Sequence, residues 1–170
     1  MPKAAVLFVR NVDALNYRVG RVAMYLFFAM GAILLASTAS RLALGVPINW
    51  ALEMSQFVLS AYYLLGGAYS LQLDAHVRMD LLYDRLSARK RAVTDAITIL
   101  FVIFFLAVLL WGGVSSTRYA ITYDQVNYTA WAPKLWPIKS IMTLGVLLML
   151  LQALSSFCKD VAIARGTPIR

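Results

Sequence analysis

The amino-acid sequence predicts an all-α integral membrane protein with four transmembrane helices, and three observations lead to this prediction. Hydrophobic residues make up 61% of the 170 residues and charged residues only 14%, whereas a typical soluble domain is about 45–50% apolar and about 25% charged. Charged residues divide the chain into four long uncharged stretches, and most of the basic residues fall in alternate connections between them. A chain of this length cannot hide so much apolar surface in its own core.

The four uncharged stretches each have about 20 residues, the length at which an α-helix crosses a ~30 Å hydrocarbon layer. Lipid offers no hydrogen-bond partners to bare backbone groups, so stretches of this length are expected to be helical. Together they form one predicted membrane domain that takes in residues 1–170. The predicted spans are 22–40, 54–73, 96–117 and 140–158.

The first stretch has one alternative interpretation, a cleaved secretory signal, because the small residues at 36–40 would suit a cleavage site. The charged segment before it is long, however, and its apolar part exceeds the usual ~7–15 residues of a signal peptide. A retained transmembrane helix is therefore the favoured interpretation.

The distribution of lysine and arginine predicts the orientation of the chain. Twelve of these residues lie in the N-terminal segment, the middle loop and the C-terminal tail, and only four lie in the other two connections. The positive-inside rule therefore places both termini and the middle loop in the cytoplasm. Basic residues placed between apolar runs suit anionic lipid headgroups, and nucleic acid is not an expected partner. The outer connections carry the aromatic residues of an interfacial belt, namely Trp50, Tyr119, Tyr123, Tyr128, Trp131 and Trp136.

Two segments outside the spans are predicted to be amphipathic helices that lie on the membrane surface. Each has apolar residues at helical spacing on one face and polar residues on the other, and a solvated loop with chance periodicity is the alternative. In the N-terminal segment the apolar face is Phe8, Val12, Leu15 and Val19, opposite Arg10, Asp13, Tyr17 and Arg21. In the middle loop it is Met79, Leu82, Tyr83 and Leu86, opposite Asp80, Asp84, Ser87 and Arg91.

The predicted spans contain no Lys, Arg, Asp, Glu or His. Ionisable residues inside a membrane usually mark ion paths, proton relays or substrate sites, so no such path is expected here. The single cysteine, Cys158, and the single histidine, His76, are too few for a disulfide or a tetrahedral zinc site. The sequence therefore predicts no catalytic residue, metal site or cofactor, and no enzyme activity.

Two groups of polar residues stand at the ends of the predicted spans. Arg41 and Glu53 flank the first outer connection and are candidates for an ion pair, within the chain or shared with a partner; the alternative is that both face headgroup water. His76, Arg78 and Asp80 follow the second span. A His beside an Asp can act as an acid–base pair, but no nucleophile or oxyanion donor accompanies them, so anchoring of the helix end or of lipid headgroups is favoured.

Three motifs follow one another along the chain. The first is Arg41 followed by Trp-x-x-Glu at 50–53, and the second is His-Val-Arg-x-Asp at 76–80. The third is Trp-Pro-Ile-Lys at 136–139 followed by a Leu-rich helix with Leu-Gln at 151–152. In this order they resemble the DctQ-type small membrane subunit of TRAP transporters, the tripartite ATP-independent periplasmic carriers, and the likeness covers nearly the whole chain. The third motif is similar to the branch often labelled mannitol/chloroaromatic.

The resemblance implies a function and partners. Such subunits pair with a large membrane subunit that carries the substrate and sodium sites, and a periplasmic binding protein delivers the substrate, usually an organic acid. The small subunit is thought to brace the moving carrier in an elevator mechanism in the bacterial inner membrane. The resemblance makes Arg41, Trp50 and Glu53 candidates for the subunit interface or a structural ion pair. The candidates for lipid-interface or helix-anchor roles are His76, Arg78, Asp80, Trp136 and Lys139.

Two other classes of protein stay open at this point. One is a self-sufficient small transporter, in which a carboxylate at a helix end, such as Glu53, would bind the cargo. The other is a membrane anchor subunit of an unrelated enzyme complex. Neighbouring genes for a large multi-span permease and a binding protein would separate both from a TRAP subunit.

The charge asymmetry predicts the outcome of a topology experiment. A reporter fused after Arg170 and a second reporter inserted between Tyr119 and Pro137 should lie on opposite sides of the membrane, because the positive-inside rule places the C-terminus inside. Signals from the same side would contradict the four-span arrangement.

Overall fold

The computed structural model describes residues 3–46, 48–73 and 88–164, and these residues form an all-α fold, as predicted. Their helices are α1 (Lys3–Leu44), α2 (Ala51–Gln72), α3 (Ala88–Thr122) and α4 (Trp136–Ala164). The only strand-like pairing in the described part is an isolated bridge between Val126 and Lys134. The surface helix predicted in the middle loop, together with His76, Arg78 and Asp80, lies outside the described residues.

Three of the described helices are long and apolar enough to cross a membrane: Val6–Leu44, Ile97–Thr122 and Trp136–Ile163. They coincide with the first, third and fourth predicted spans. Helix α2 has 22 residues, enough to cross the bilayer, but it is not among them. Glu53 and Gln56, together with its serines and tyrosines, lower its mean hydropathy. The four-span arrangement therefore stays a prediction at α2.

Helix α1 is one continuous helix of 42 residues, roughly 60 Å long at 1.5 Å per residue. The prediction of a separate surface helix in the N-terminal segment is not confirmed, because this segment runs without a break into the first span. Its predicted apolar face is also rotated. Phe8 and Leu15 are exposed, whereas Val9, Val12 and Asn16 are buried. The reason is that this part of α1 packs against α4, not against a flat membrane surface.

Helix α1 ends where Gly45 adopts a left-handed conformation with φ of +68°. The Gly45 N–H donates to the Arg41 carbonyl at 3.2 Å, which satisfies one of the carbonyls left free at a helix end. The chain then turns within a few residues into α2. This tight connection keeps the C-terminal end of α1 beside the N-terminal end of α2.

Helix α4 lies at the centre of the fold, since it packs against α1, α2 and α3, while α3 packs chiefly against α4. Its core contacts are apolar: Leu106 of α3 with Val146 and Ala153 of α4. Gly145 allows α4 to approach α2 closely, because a Cβ atom there would lie 2.9 Å from the backbone carbonyl of Leu64. Small residues at such crossings are how helices pack tightly in lipid.

Most large apolar side chains of α1 and α3 point away from the bundle. In the most apolar 18-residue segment of α1, and likewise of α3, only 6% of the residues are buried within the bundle, compared with 33% in that of α4. Apolar surface of this extent must be covered by lipid or by another membrane protein.

Candidate functional site

The most conspicuous polar feature of the described bundle is a group of five side chains between the N-terminal half of α1 and the C-terminal half of α4. Three of them, Asn16, Gln152 and Ser155, are the largest fully buried side chains in the described residues. We call this group the polar cluster. It consists of Asp13, Asn16, Gln152, Ser155 and Lys159.

Asp13 is the centre of the polar cluster. Its Oδ1 accepts hydrogen bonds from Gln152 Nε2 and from Ser155 Oγ, both at 3.0 Å. Its Oδ2 accepts from Lys159 Nζ at 2.6 Å, so the two also form an ion pair. The Asp13 side chain is 22% exposed and the Lys159 side chain 32%. A carboxylate with three donors, one of them charged, is well compensated for its partial burial.

Gln152 joins Asp13 to Asn16. While its amide nitrogen donates to Asp13, its Oε1 accepts from Asn16 Nδ2 at 2.6 Å. The same Asn16 nitrogen lies 3.5 Å from the Leu148 carbonyl. Asn16 Oδ1 is buried without a hydrogen-bond partner. Both the nitrogen and the oxygen of the Gln152 amide therefore form hydrogen bonds. Because the Asp13 carboxylate can only accept, the amide nitrogen must point toward Asp13 and the amide oxygen toward Asn16.

The helical repeat explains why these residues meet. Asp13 and Asn16 are three residues apart on α1, and Gln152, Ser155 and Lys159 follow one another at three and four residues on α4, so each set lies along one face of its helix. The sequence did not predict this cluster, because the helical periodicity puts Asp13 on the polar face of a surface helix and Gln152 stands out only as part of the Leu-Gln motif. The sequence signal for such a cluster is the spacing of polar residues within largely apolar helices, which is i, i+3 on α1 and i, i+3, i+7 on α4.

The polar cluster can hold two helices together but has no means of catalysis. Its single carboxylate is paired with a cation and two neutral donors. Among the described residues there is also no group of three or more His, Cys, Asp or Glu side chains able to hold a metal ion.

Arg41 and Glu53 lie at the end of the bundle where α1 is joined to α2, and they do not pair. Arg41 is exposed in the last turn of α1, and no ion pair joins the two side chains among the described residues. Glu53 stands in the first turn of α2, where it is 8% exposed. Its Oε2 is buried and has no hydrogen-bond partner. The structure thus leaves the carboxylate of Glu53 without compensation from Arg41.

The same end of the bundle, where α2 and α4 begin, includes Trp50, Trp136 and Lys139. The Trp50 ring lies 6.4 Å from the ring of Trp131, measured between centroids, and links the start of α2 to the connection 123–135. Trp136 begins α4 and is 44% exposed. Lys139 Nζ donates to Gln125 Oε1 at 2.8 Å. Lys139 therefore ties this connection to α4.

The DctQ family, described as "Tripartite ATP-independent periplasmic transporters, DctQ component", matches residues 19–162. This match covers most of the 170 residues. The chain belongs to the DctQ family. Neither a curated protein nor a solved structure matches it. As a DctQ protein it is the small membrane component of a TRAP transporter, and it is not an enzyme.

DctQ subunits work with a DctM subunit and a substrate-binding protein. The family match begins at residue 19, so Gln152, Ser155 and Lys159 lie within it, while Asp13 and Asn16 lie just before it. The polar cluster therefore ties the N-terminal part of α1 to the DctQ region of this chain.

Replacement of Asp13 tests the role of the polar cluster. Asp13→Ala leaves the buried donors of Gln152 and Ser155 without an acceptor and Lys159 without its counterion. We expect the free energy of unfolding to fall by about 2–3 kcal/mol, because a buried polar group without a partner is costly. Unfolding of the purified protein in detergent, followed by circular dichroism, measures the change.

The chain offers a matched control in the ion pair between Lys134 and Asp124, whose N–O distance is 3.0 Å. The Lys134 and Asp124 side chains are 57% and 64% exposed, and exposed pairs contribute only about 0–1 kcal/mol. Lys134→Ala should therefore change stability little, and Lys159→Ala should change it more. Equal effects of the two lysine replacements would show that the polar cluster does not hold α1 against α4.

Proposed function

We propose that this DctQ protein is the small permease subunit of a sodium-coupled, binding-protein-dependent TRAP transporter for organic acids, and that it braces the large transport subunit. Membership of the DctQ family is the observation that carries the proposal. The Trp-Pro-Ile-Lys and Leu-Gln motifs at 136–139 and 151–152 support the mannitol/chloroaromatic-like branch. The chain acts as one membrane domain.

The distribution of buried polar groups supports a brace without an ion path. Within the described residues, Glu53 and Ser55 are buried at the outer end of α2, and the polar cluster lies at the opposite end of the bundle. Between these ends the buried residues are apolar, as Ala61, Leu106 and Val146 illustrate. An ion or organic acid crossing this bundle would have no polar groups to replace its water. The sodium and substrate sites therefore belong to the large subunit.

The outer end of α2 is the part of the bundle that we assign to the large subunit. A buried carboxylate oxygen without a donor is unfavourable, and Glu53 has one. The α2 surface beside it is only moderately apolar, because it includes exposed Gln56 and Tyr63, so a protein partner suits it better than lipid. We place a cationic or hydrogen-bond donor group of the large subunit near Glu53, with Arg41 and Trp50 at the edge of this interface.

We place the protein in the bacterial inner membrane with both termini in the cytoplasm, on the basis of its basic inner segments. In this orientation His76, Arg78 and Asp80 lie at the inner headgroups, and Trp136 and Lys139 lie at the outer ones. The exposed apolar surfaces of α1 and α3 then face lipid or the large subunit. Family membership disfavours a self-sufficient transporter and an anchor of an unrelated enzyme complex.

Co-purification tests the proposed function. When the chain carries an affinity tag and is expressed with the neighbouring membrane genes, we expect a much larger membrane protein to be recovered with it in a one-to-one ratio. Mass measurement of the detergent-extracted complex gives the ratio. A homo-oligomer that transports an organic acid without any partner would refute the proposal.

The assignment of Glu53 to the interface predicts a specific loss of assembly. Glu53→Gln removes a negative charge but keeps the shape of the side chain, so association with the large subunit should weaken by about 2 kcal/mol or more. The measurement is the amount of large subunit recovered with the tagged chain. Asp124→Asn is the matched control, since it also removes an outer carboxylate and Asn tolerates the positive φ of 43° at this position. Unchanged recovery with Glu53→Gln would place the interface elsewhere.

A further inference from the structure

A long apolar groove runs along the bundle between α1, α2 and α4. Its volume is about 580 Å³, and its walls are continuous helical faces. On α2 it follows one face from Met54 to Leu65, and on α4 it follows one face from Pro137 to Leu144. On α1 it extends from Arg18 to Leu26. The groove is thus open along the side of the bundle.

Small side chains at the bottom explain why this groove exists. Ala23 and Ala61 are buried at 1% and 7% exposure, and they fill too little of the space between the three helices. Val22 and Leu144 are 67% and 50% exposed and line the edges. Helices in lipid are not driven together by their apolar surface, so a depression of this kind is filled by whatever apolar chain fits it.

The shape and lining of the groove suit a hydrocarbon chain. The lined part of α2 has a length of about 18 Å at 1.5 Å per residue. The side chains along this length are apolar, and the groove opens to the side of the bundle, where the hydrocarbon layer lies. An acyl chain can therefore lie along the helices and fill it.

Among the described residues, Arg18 is the one charged residue that lines the groove. It is exposed, and it makes no hydrogen bond or ion pair with the described residues. It lies at the end of α1 that the polar cluster holds against α4, on a different side of the helix from Asp13 and Asn16. A cation without a counterion at the end of an apolar groove is complementary to a ligand in which an anion is attached to a hydrocarbon chain.

We propose that this groove binds an anionic phospholipid, with an acyl chain along α2 and α4 and the phosphate on the guanidinium of Arg18. Arginine recognises phosphate oxygens through two parallel hydrogen bonds, and basic pockets between transmembrane helices on the cytoplasmic side bind anionic headgroups. Lipid binding at this site depends only on insertion of this chain in the membrane and on Arg18 at the end of the groove. Because it does not depend on the large subunit, a negative result for lipid binding would leave the proposed function untouched, and the reverse is also true.

Native mass spectrometry of the detergent-extracted protein tests the site, with phosphatidylglycerol and phosphatidylcholine of the same acyl chains as probes. We expect one phosphatidylglycerol to be retained in preference to phosphatidylcholine. Arg18→Gln should reduce this preference about fivefold, which corresponds to about 1 kcal/mol for one basic residue near an anionic surface. Arg10→Gln is the matched control, because Arg10 is also exposed on α1 but does not line the groove. The preference of Arg10→Gln for phosphatidylglycerol over phosphatidylcholine should equal that of the wild type.

A second pair of variants tests the groove itself. Leu144→Trp adds bulk at the edge of the groove, and Leu144 is sufficiently exposed for the larger ring to leave the core undisturbed. It should reduce retention of both lipids at least fivefold, and Val22→Trp should do the same from α1. Leu35→Trp, at a 73% exposed position outside the groove, should have no effect. Equal lipid preference in Arg18→Gln and Arg10→Gln, or unchanged retention in both groove-filling variants, would overturn the proposal.

Discussion

In a bilayer, two helices gain little from burying apolar side chains against each other, because lipid tails are equally apolar. The association of α1 with α4 therefore depends on groups that lipid cannot satisfy. Asp13 accepts from Gln152, Ser155 and Lys159, and Gln152 accepts from Asn16. Separation of the helices would leave these groups without partners in or near hydrocarbon, and this penalty holds the N-terminal half of α1 in place.

The rest of the bundle follows from where this contact lies. It fixes α1 to α4 near one end only, while α1 contacts α2 over a longer stretch, from the Tyr17 and Tyr69 rings to the Phe27 and Tyr62 rings. Helix α4 is also held at Gly145, where it comes close to Leu64 of α2. A groove remains between α1, α2 and α4, above the small side chains of Ala23 and Ala61. Arg18 lies at the end of this groove without a counterion among the described residues.

Polar and apolar groups are separated along the bundle of this DctQ protein. Its described polar groups are concentrated at the two ends of the bundle, and most of its apolar side chains point outward. Among the described residues, Glu53 is the charged side chain with a buried oxygen that has no hydrogen-bond partner, whereas Asn16 and Gln72 each leave a neutral amide oxygen in this state. An unsatisfied group in a subunit of a larger assembly is better explained by the assembly than by the isolated chain. This is the basis for assigning the outer end of α2 to the large subunit.

The sequence by itself determined the all-α class, the three strongly apolar helices and the family, because hydropathy over about 20 residues and ordered motifs are local properties of the chain. The sequence also predicted a span at 54–73, which is not confirmed, since Glu53 and Gln56 lower the mean hydropathy of α2. Only the tertiary structure decided that Asp13 faces Gln152 instead of water, that α1 is continuous from Lys3 to Leu44, and that Arg41 does not compensate Glu53. Periodicity gives the faces of a single helix, but which face turns inward depends on the neighbouring helices that it meets.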